Sequence, residues 1–180
     1  MGGASRRMGG AAKGLLRLAN GETLVDRWLR LFDRLGVECV LVGVRPEYAP
    51  RRMLADAPEC EGPLAGLVAL LHQGKASGAR HVLAVGCDMP HVSDALVSRL
   101  LGAPHAPAIA AKREGRWEPM LARYEVEPSL AVARARAARD DTSLHGLLEA
   151  LAAVPLDLSL SESRELDDWD TPGDVERSPA

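Results

Sequence analysis

The stretch from Gly2 to Gly14 does most to restrict what this chain can build. Gly2, Gly3, Gly9, Gly10 and Gly14 are set among small residues, with Arg6, Arg7 and Lys13 between them. Glycine admits positive φ and lets the backbone pass close to a ligand. Successive exposed N–H groups then form a concavity for an anion. Arg and Lys add full charges to the partial charges of those amides. A loop of this make-up suits phosphates. It is not a Walker A loop, because Lys13 is followed by Gly14 rather than Ser or Thr. Nor does it match the G-x-G-x-x-G dinucleotide fingerprint, since its glycines come in pairs. For this segment alone, a loose Gly/Ala-rich chain start is the plain alternative.

Downstream, the hydrophobic pattern alternates between helix and strand. Leu24, Trp28, Leu31, Phe32 and Leu35 recur at helical spacing and predict a helix over Glu22 to Leu35, stopped by Gly36. Val37 to Val44 reads as a buried strand. Pro63 fits the first turn of a helix that buries Leu64, Leu67, Val68 and Leu71. His81 to Gly86 reads as a second buried strand, with Cys87 and Asp88 at its carboxyl end. Ser93 caps a helix carrying Leu96, Val97 and Leu100. Two extended segments, Pro107 to Lys112 and Arg116 to Tyr124, flank a polar turn at Glu114 and Gly115. Helices over Pro128 to Arg139 and Ser143 to Ala152 and a strand near Val154 to Leu158 complete the series. This alternation predicts a three-layer α/β domain with a mostly parallel sheet. Ligands of such sheets bind outside the carboxyl ends of the strands, so the Gly-rich loop and Asp88 are expected to face one crevice.

At 180 residues the chain is expected to form a single domain. Its tail is polar and acidic from Ser159, and is expected to be loosely packed after about residue 175. The net charge of -3 gives no global field toward nucleic acid or an anionic membrane. One Phe and two Tyr offer no platform for stacking successive bases. No apolar run approaches the roughly 18 residues of a membrane span. Cys39, Cys60 and Cys87 fit neither a disulfide framework nor a zinc site, which points to a reducing cytoplasm. His72, His81, His91, His105 and His145 share no metal-ligand spacing and read as surface or core groups. His91, near Asp88 in sequence, could also reach an acceptor substrate.

Four segments carry a family resemblance: Gly2 to Leu16, Gly62 to Leu67, Cys87-Asp88-Met89-Pro90, and Asp168-Trp169-Asp170-Thr171-Pro172. Together the chain resembles the nucleotidyltransferases of the molybdenum cofactor guanylyltransferase type. The resemblance implies a three-layer α/β/α, Rossmann-like nucleotidyltransferase fold. In that family an apolar strand leads into the Gly-Gly loop. Only Met1 precedes Gly2 here, so a truncated first strand is expected.

The implied reaction is Mg²⁺-dependent transfer of GMP from GTP to the phosphate of the molybdopterin cofactor, releasing pyrophosphate. Asp88 is the implied magnesium ligand and catalytic residue. On its own it can equally cap a backbone N–H in a strand-to-loop turn. Lys13 and Arg7 are the implied catalytic cations: Lys13 pairs with triphosphate oxygens, and Arg7 stabilises the leaving pyrophosphate. Gly2 and Gly3 contribute backbone to nucleotide binding, and Asp56 is a weaker nucleoside contact displaced by about one residue from the family position. Asp170, with Asp168 beside it, is the second metal candidate. Thr171-Pro172 there also reads as a helix start.

Several positions depart from the family pattern. Val42 and Gly43 stand where members often carry Asn, Asp168 and Asp170 where many guanylyltransferases carry Asn, and Ala12 replaces an acidic residue. A related transferase using CTP or another phosphorylated acceptor is therefore one rival. A non-catalytic protein that binds nucleotide or cofactor and hands it to a transient partner is the other.

Overall fold

Caps and tight turns set most of the element boundaries. The computed structural model describes residues 12–169. In chain order its elements are α1 (Leu24–Arg34), β1 (Leu41–Val42), β2 (Met53–Leu54), α2 (Gly62–Ala76), β3 (His81–Val85), α3 (Asp94–Leu101), β4 (Ala108–Arg113), β5 (Arg116–Glu125), α4 (Val126–Ala137), α5 (Leu144–Ala150), β6 (Val154–Leu156) and α6 (Leu160–Glu165). Thr23, Ser143 and Ser159 each accept a backbone N–H at the start of α1, α5 and α6. Ser93 Oγ accepts from Leu96 N–H at 3.2 Å and starts α3. These are the hydroxyl caps that satisfy the otherwise unpaired first-turn amides.

The chain divides into two units built from interleaved stretches. One holds Val40–Val85 and Arg99–Leu158. In it β1 and β2 pair in parallel, and a second sheet has the order β3-β5-β4-β6. Strand β5 is antiparallel to both β3 and β4, while β6 is parallel to β4. Thus β3, β4 and β6 run one way and β5 runs against them. The α/β class stands, but the pairing is mixed rather than mostly parallel. Glu114 and Gly115 explain it: their φ values of 50° and 79° form a two-residue hairpin turn. Such a turn joins adjacent antiparallel strands and leaves no room for a crossover.

Helices α2, α4 and α5 supply the other half of this unit's core. Leu64, Leu67, Leu71, Leu130, Leu147 and Leu148 pack with Val82, Ala84, Ala110, Ala122 and Tyr124. The strand alanines leave space for the helical leucines. Gly74 does the same on α2, because a Cβ there would lie 2.5 Å from Val82 Cγ1 and 3.2 Å from Val126 Cγ2.

The second unit holds the described residues up to Cys39, Gly86–Ser98 and the stretch from Ser159 to Trp169. Its buried side chains include Leu24, Trp28, Leu31, Phe32, Met89, Val92, Leu96, Leu166 and Trp169. Trp28 and Phe32 stack with centroids 5.6 Å apart.

Several expected elements are displaced. Of Val37 to Val44 only Leu41 and Val42 pair, because the facing strand β2, unread in the sequence, is two residues long. Helix α4 starts at Val126, ahead of Pro128, which a first helical turn tolerates. Helix α6 was not expected, although Ser159 and Glu162 form a reciprocal capping box. No helix among the described residues is long and apolar enough to cross a membrane. The expectations for the Gly2 to Ala11 loop, for a strand leading into it and for the tail after residue 175 fall outside the described residues.

Candidate active site

Asp88 stands in the turn after β3, beyond Gly86 and Cys87. Lys13 opens a single 3-10 turn, Lys13–Leu15. The two meet: Lys13 Nζ donates to Asp88 Oδ2 at 3.0 Å. Their side chains are 20% and 25% exposed. A ligand can reach the pair, yet it is screened less than a pair on open surface.

A third stretch of chain joins them. The Trp169 N–H donates to the Asp88 carbonyl at 2.8 Å. The Trp169 side chain is buried, and its ring meets His91 edge-on at 6.4 Å. The loop between Asp88 and α3 is braced further along. The Ser93 N–H donates to the Glu165 carboxylate at 2.8 Å. Arg27 donates to the Val92 carbonyl. Arg34 grips Asp94 with two bonds of 2.8 Å. Cys87 adds no nucleophile, since burial, reinforced by the Asp88 carboxylate, pushes its thiol up to about 12.

The other sequence candidates fall in different places. Asp56 belongs to the unit of β1 and β2 and is exposed. Its Oδ1 lies 3.4 Å from where a Cβ on Gly66 would be, and Val42 Cγ1 lies 3.2 Å from that point. Bare Gly66 thus lets the strand ends close on α2, helped by Ala57 N–H donating to Ala65 C=O at 3.1 Å. Asp168 is exposed beside buried Trp169. Gly2, Gly3, Arg7 and Asp170 lie outside the described residues. Sequence reasoning gave no role to Trp169 or Glu165. The Asp-Trp-Asp pattern was visible, but a backbone bond leaves no mark on residue type.

Residues 1–155 match the family described as the MobA-like NTP transferase domain. The chain belongs to this family. It is 34% identical over 188 residues to the probable molybdenum cofactor guanylyltransferase of Opitutus terrae, covering 98% of this chain and 90% of that one. It is also 34% identical over 174 residues to the molybdenum cofactor guanylyltransferase of Xanthomonas euvesicatoria, covering 95% and 87%. Among solved structures it is similar to molybdopterin-guanine dinucleotide biosynthesis protein A from Archaeoglobus fulgidus, with a TM-score of 0.75, 22% identity, and coverage of 98% and 92%. It is similar also to 2-C-methyl-D-erythritol 4-phosphate cytidylyltransferase from Thermus thermophilus, with a TM-score of 0.63, 18% identity, and coverage of 91% and 90%. At such identities the structural likeness speaks to the fold.

As a MobA-like NTP transferase the chain is a nucleotidyltransferase. The donor chemistry at Asp88 fits a hard divalent cation of the kind phosphate-transfer sites use. Such a cation takes one or two carboxylates and completes its shell with water and phosphate oxygens. A carboxylate offers two oxygens and about four lone-pair sites, so the bond from Lys13 to Oδ2 does not exhaust Asp88.

Proposed function

We propose that this MobA-like NTP transferase moves GMP from GTP to the terminal phosphate of molybdopterin, with Mg²⁺ and release of pyrophosphate. The Lys13–Asp88 pair at 3.0 Å is the observation that carries the reading. It puts a fixed cation and a metal-type carboxylate at one point, as a triphosphate requires. The guanylyltransferase names of the relatives supply the base and the acceptor.

An oxygen of the acceptor phosphate attacks the α-phosphorus, and the bond to the β-phosphate oxygen breaks. That acceptor oxygen is already ionised near neutral pH, so the chain needs no strong general base. Its work is positioning and electrostatics. Lys13 holds phosphate oxygens with a point charge. Arg7 takes the leaving pyrophosphate, and Gly2 and Gly3 offer backbone amides. Asp88 would hold the magnesium ion, with Asp170 as its second carboxylate. When bound, the ion neutralises phosphate charge. Asp56 is the weaker nucleoside contact of this reading. Free Cys39, Cys60 and Cys87 suit a cytoplasmic setting.

A second reading, with CTP as donor, rests on Val42, whose apolar side chain offers no hydrogen bond to a base. The test is pyrophosphate release from the purified protein given molybdopterin and GTP, CTP or ATP. GTP is expected to lead. Preference for CTP moves the reading to the second donor, and nucleotide binding without pyrophosphate release overturns both.

A further inference from the structure

His81 opens β3 and Glu125 closes β5, and the antiparallel register sets them directly opposite each other. His105 reaches the same place from the loop ahead of β4. Arg123 fixes that loop: its guanidinium donates to the carbonyls of Leu101 at 2.7 Å, Ala103 at 2.8 Å, and Pro104. One donor atom from each of His81, His105 and Glu125 lies within 4.8 Å of the others. The two imidazole rings meet edge-on with centroids 6.1 Å apart. His105 Nε2 stands 3.7 Å from the Glu125 carboxylate.

His81 Nε2 is buried and has no hydrogen-bond partner. A buried nitrogen in that state forfeits the hydration it had in the unfolded chain, and a ring nitrogen of this kind is a metal ligand. Burial and Arg123, against the opposing pull of Glu125 and with help from Arg80 and His105, lower the His81 pKa. A ligating imidazole must be neutral.

We propose that His81, His105 and Glu125 bind one transition-metal ion of the Zn²⁺ class. Two imidazole nitrogens and one carboxylate oxygen leave a fourth tetrahedral position for water. The set holds too few oxygens for Ca²⁺ or Mg²⁺. Arg80 is the competitor. Its Nε stands 3.3 Å from Glu125 Oε1, and its Nη2 stands 3.3 Å from the His105 ring. Its side chain is 66% exposed, so the guanidinium can swing into water. The ion then ties the start of β3, the end of β5 and the loop before β4, three segments far apart in sequence.

The test uses the full chain, stripped with chelator and titrated with Zn²⁺ by calorimetry and by thermal melting. One ion per chain is expected, with a raised Tm and no comparable shift from Mg²⁺. His105→Ala changes an exposed loop residue, and circular dichroism checks its fold. That variant and Glu125→Gln are expected to bind about tenfold more weakly or worse. Arg80→Ala is expected to bind more tightly, because a competing positive charge is gone. Pyrophosphate release by His105→Ala is expected at the wild-type rate. Equal Zn²⁺ affinity in wild type and His105→Ala overturns the proposal. So does weaker binding by Arg80→Ala, which makes the group an ordinary surface charge cluster.

Discussion

Lys13 and Asp88 are separated by 75 residues of chain and by 3.0 Å between Nζ and Oδ2. That bond turns the two opposite charges toward one point. Preorganised charge of this kind does not have to rearrange as the reaction proceeds. The Trp169 N–H, 2.8 Å from the Asp88 carbonyl, anchors the same turn from the far end of the described chain.

Lys13→Ala is expected to lower kcat/KM for the nucleotide by about 10²–10³-fold, the usual cost of losing one group aimed at developing charge. Lys13→Arg is expected to recover only part, because a planar fork does not reproduce a compact ammonium. Steady-state pyrophosphate release measures both. Wild-type kinetics in Lys13→Ala would limit Lys13 to holding the turn in place.

Cys87 adjoins Asp88 but carries no chemistry in this account. With its thiol pushed up to about 12, it is expected to resist iodoacetamide at about pH 8 in the folded protein and to react once unfolded. Cys87→Ala is expected to keep near wild-type turnover. Rapid native labelling at Cys87, read by mass spectrometry, contradicts the raised thiol pKa; lost turnover in a folded Cys87→Ala contradicts the bystander role.

Gly74→Ala probes the packing of α2 on β3. Helix propensity favours alanine over glycine by about 1 kcal/mol. The new Cβ meets Val82 Cγ1 at 2.5 Å and Val126 Cγ2 at 3.2 Å, and overpacking costs about 1–3 kcal/mol. The net expectation is a less stable protein, measured by urea unfolding. A more stable variant shows that Val82 can yield.

The Arg34–Asp94 fork gives a pH signature. The Arg34 hydrogen bonds hold the Asp94 carboxyl below its ordinary value. A carboxylate with a lowered folded pKa stabilises the fold above its unfolded pKa. That contribution disappears as pH falls through the folded pKa. The Tm gap between wild type and Asp94→Asn is therefore expected to be full at neutral pH and to close below the usual carboxylate range. The pair is exposed, so the gap should also shrink in high salt. A gap that widens on acidification has the wrong sign.

The parts of the fold legible in sequence are those with local causes. The stripe Leu24, Trp28, Leu31 and Phe32 marked α1, Ser93 and Ser143 marked two helix starts, and Glu114-Gly115 marked a polar turn between two extended segments. Strand β2 was not legible, since Met53 and Leu54 carry no period. The antiparallel placement of β5 between β3 and β4 depends on which strands pair, which no single segment encodes. At the site, Lys13 and Asp88 could be named from residue type and motif. Trp169 could not be given its role, because it acts through its backbone. His81 and His105 looked unrelated at 24 positions apart; strand register sets His81 opposite Glu125, and the loop braced by Arg123 brings His105 to them.

The most direct measurement is Mg²⁺-dependent pyrophosphate release, in a single turnover with GTP and molybdopterin, by wild type and by Asp88→Asn. Melting curves verify that the variant is folded, and nucleotide binding is measured alongside. The expected result is a loss of about 10²-fold or more in the transfer rate, with GTP still bound. Transfer by folded Asp88→Asn at the wild-type rate would contradict the account at its centre.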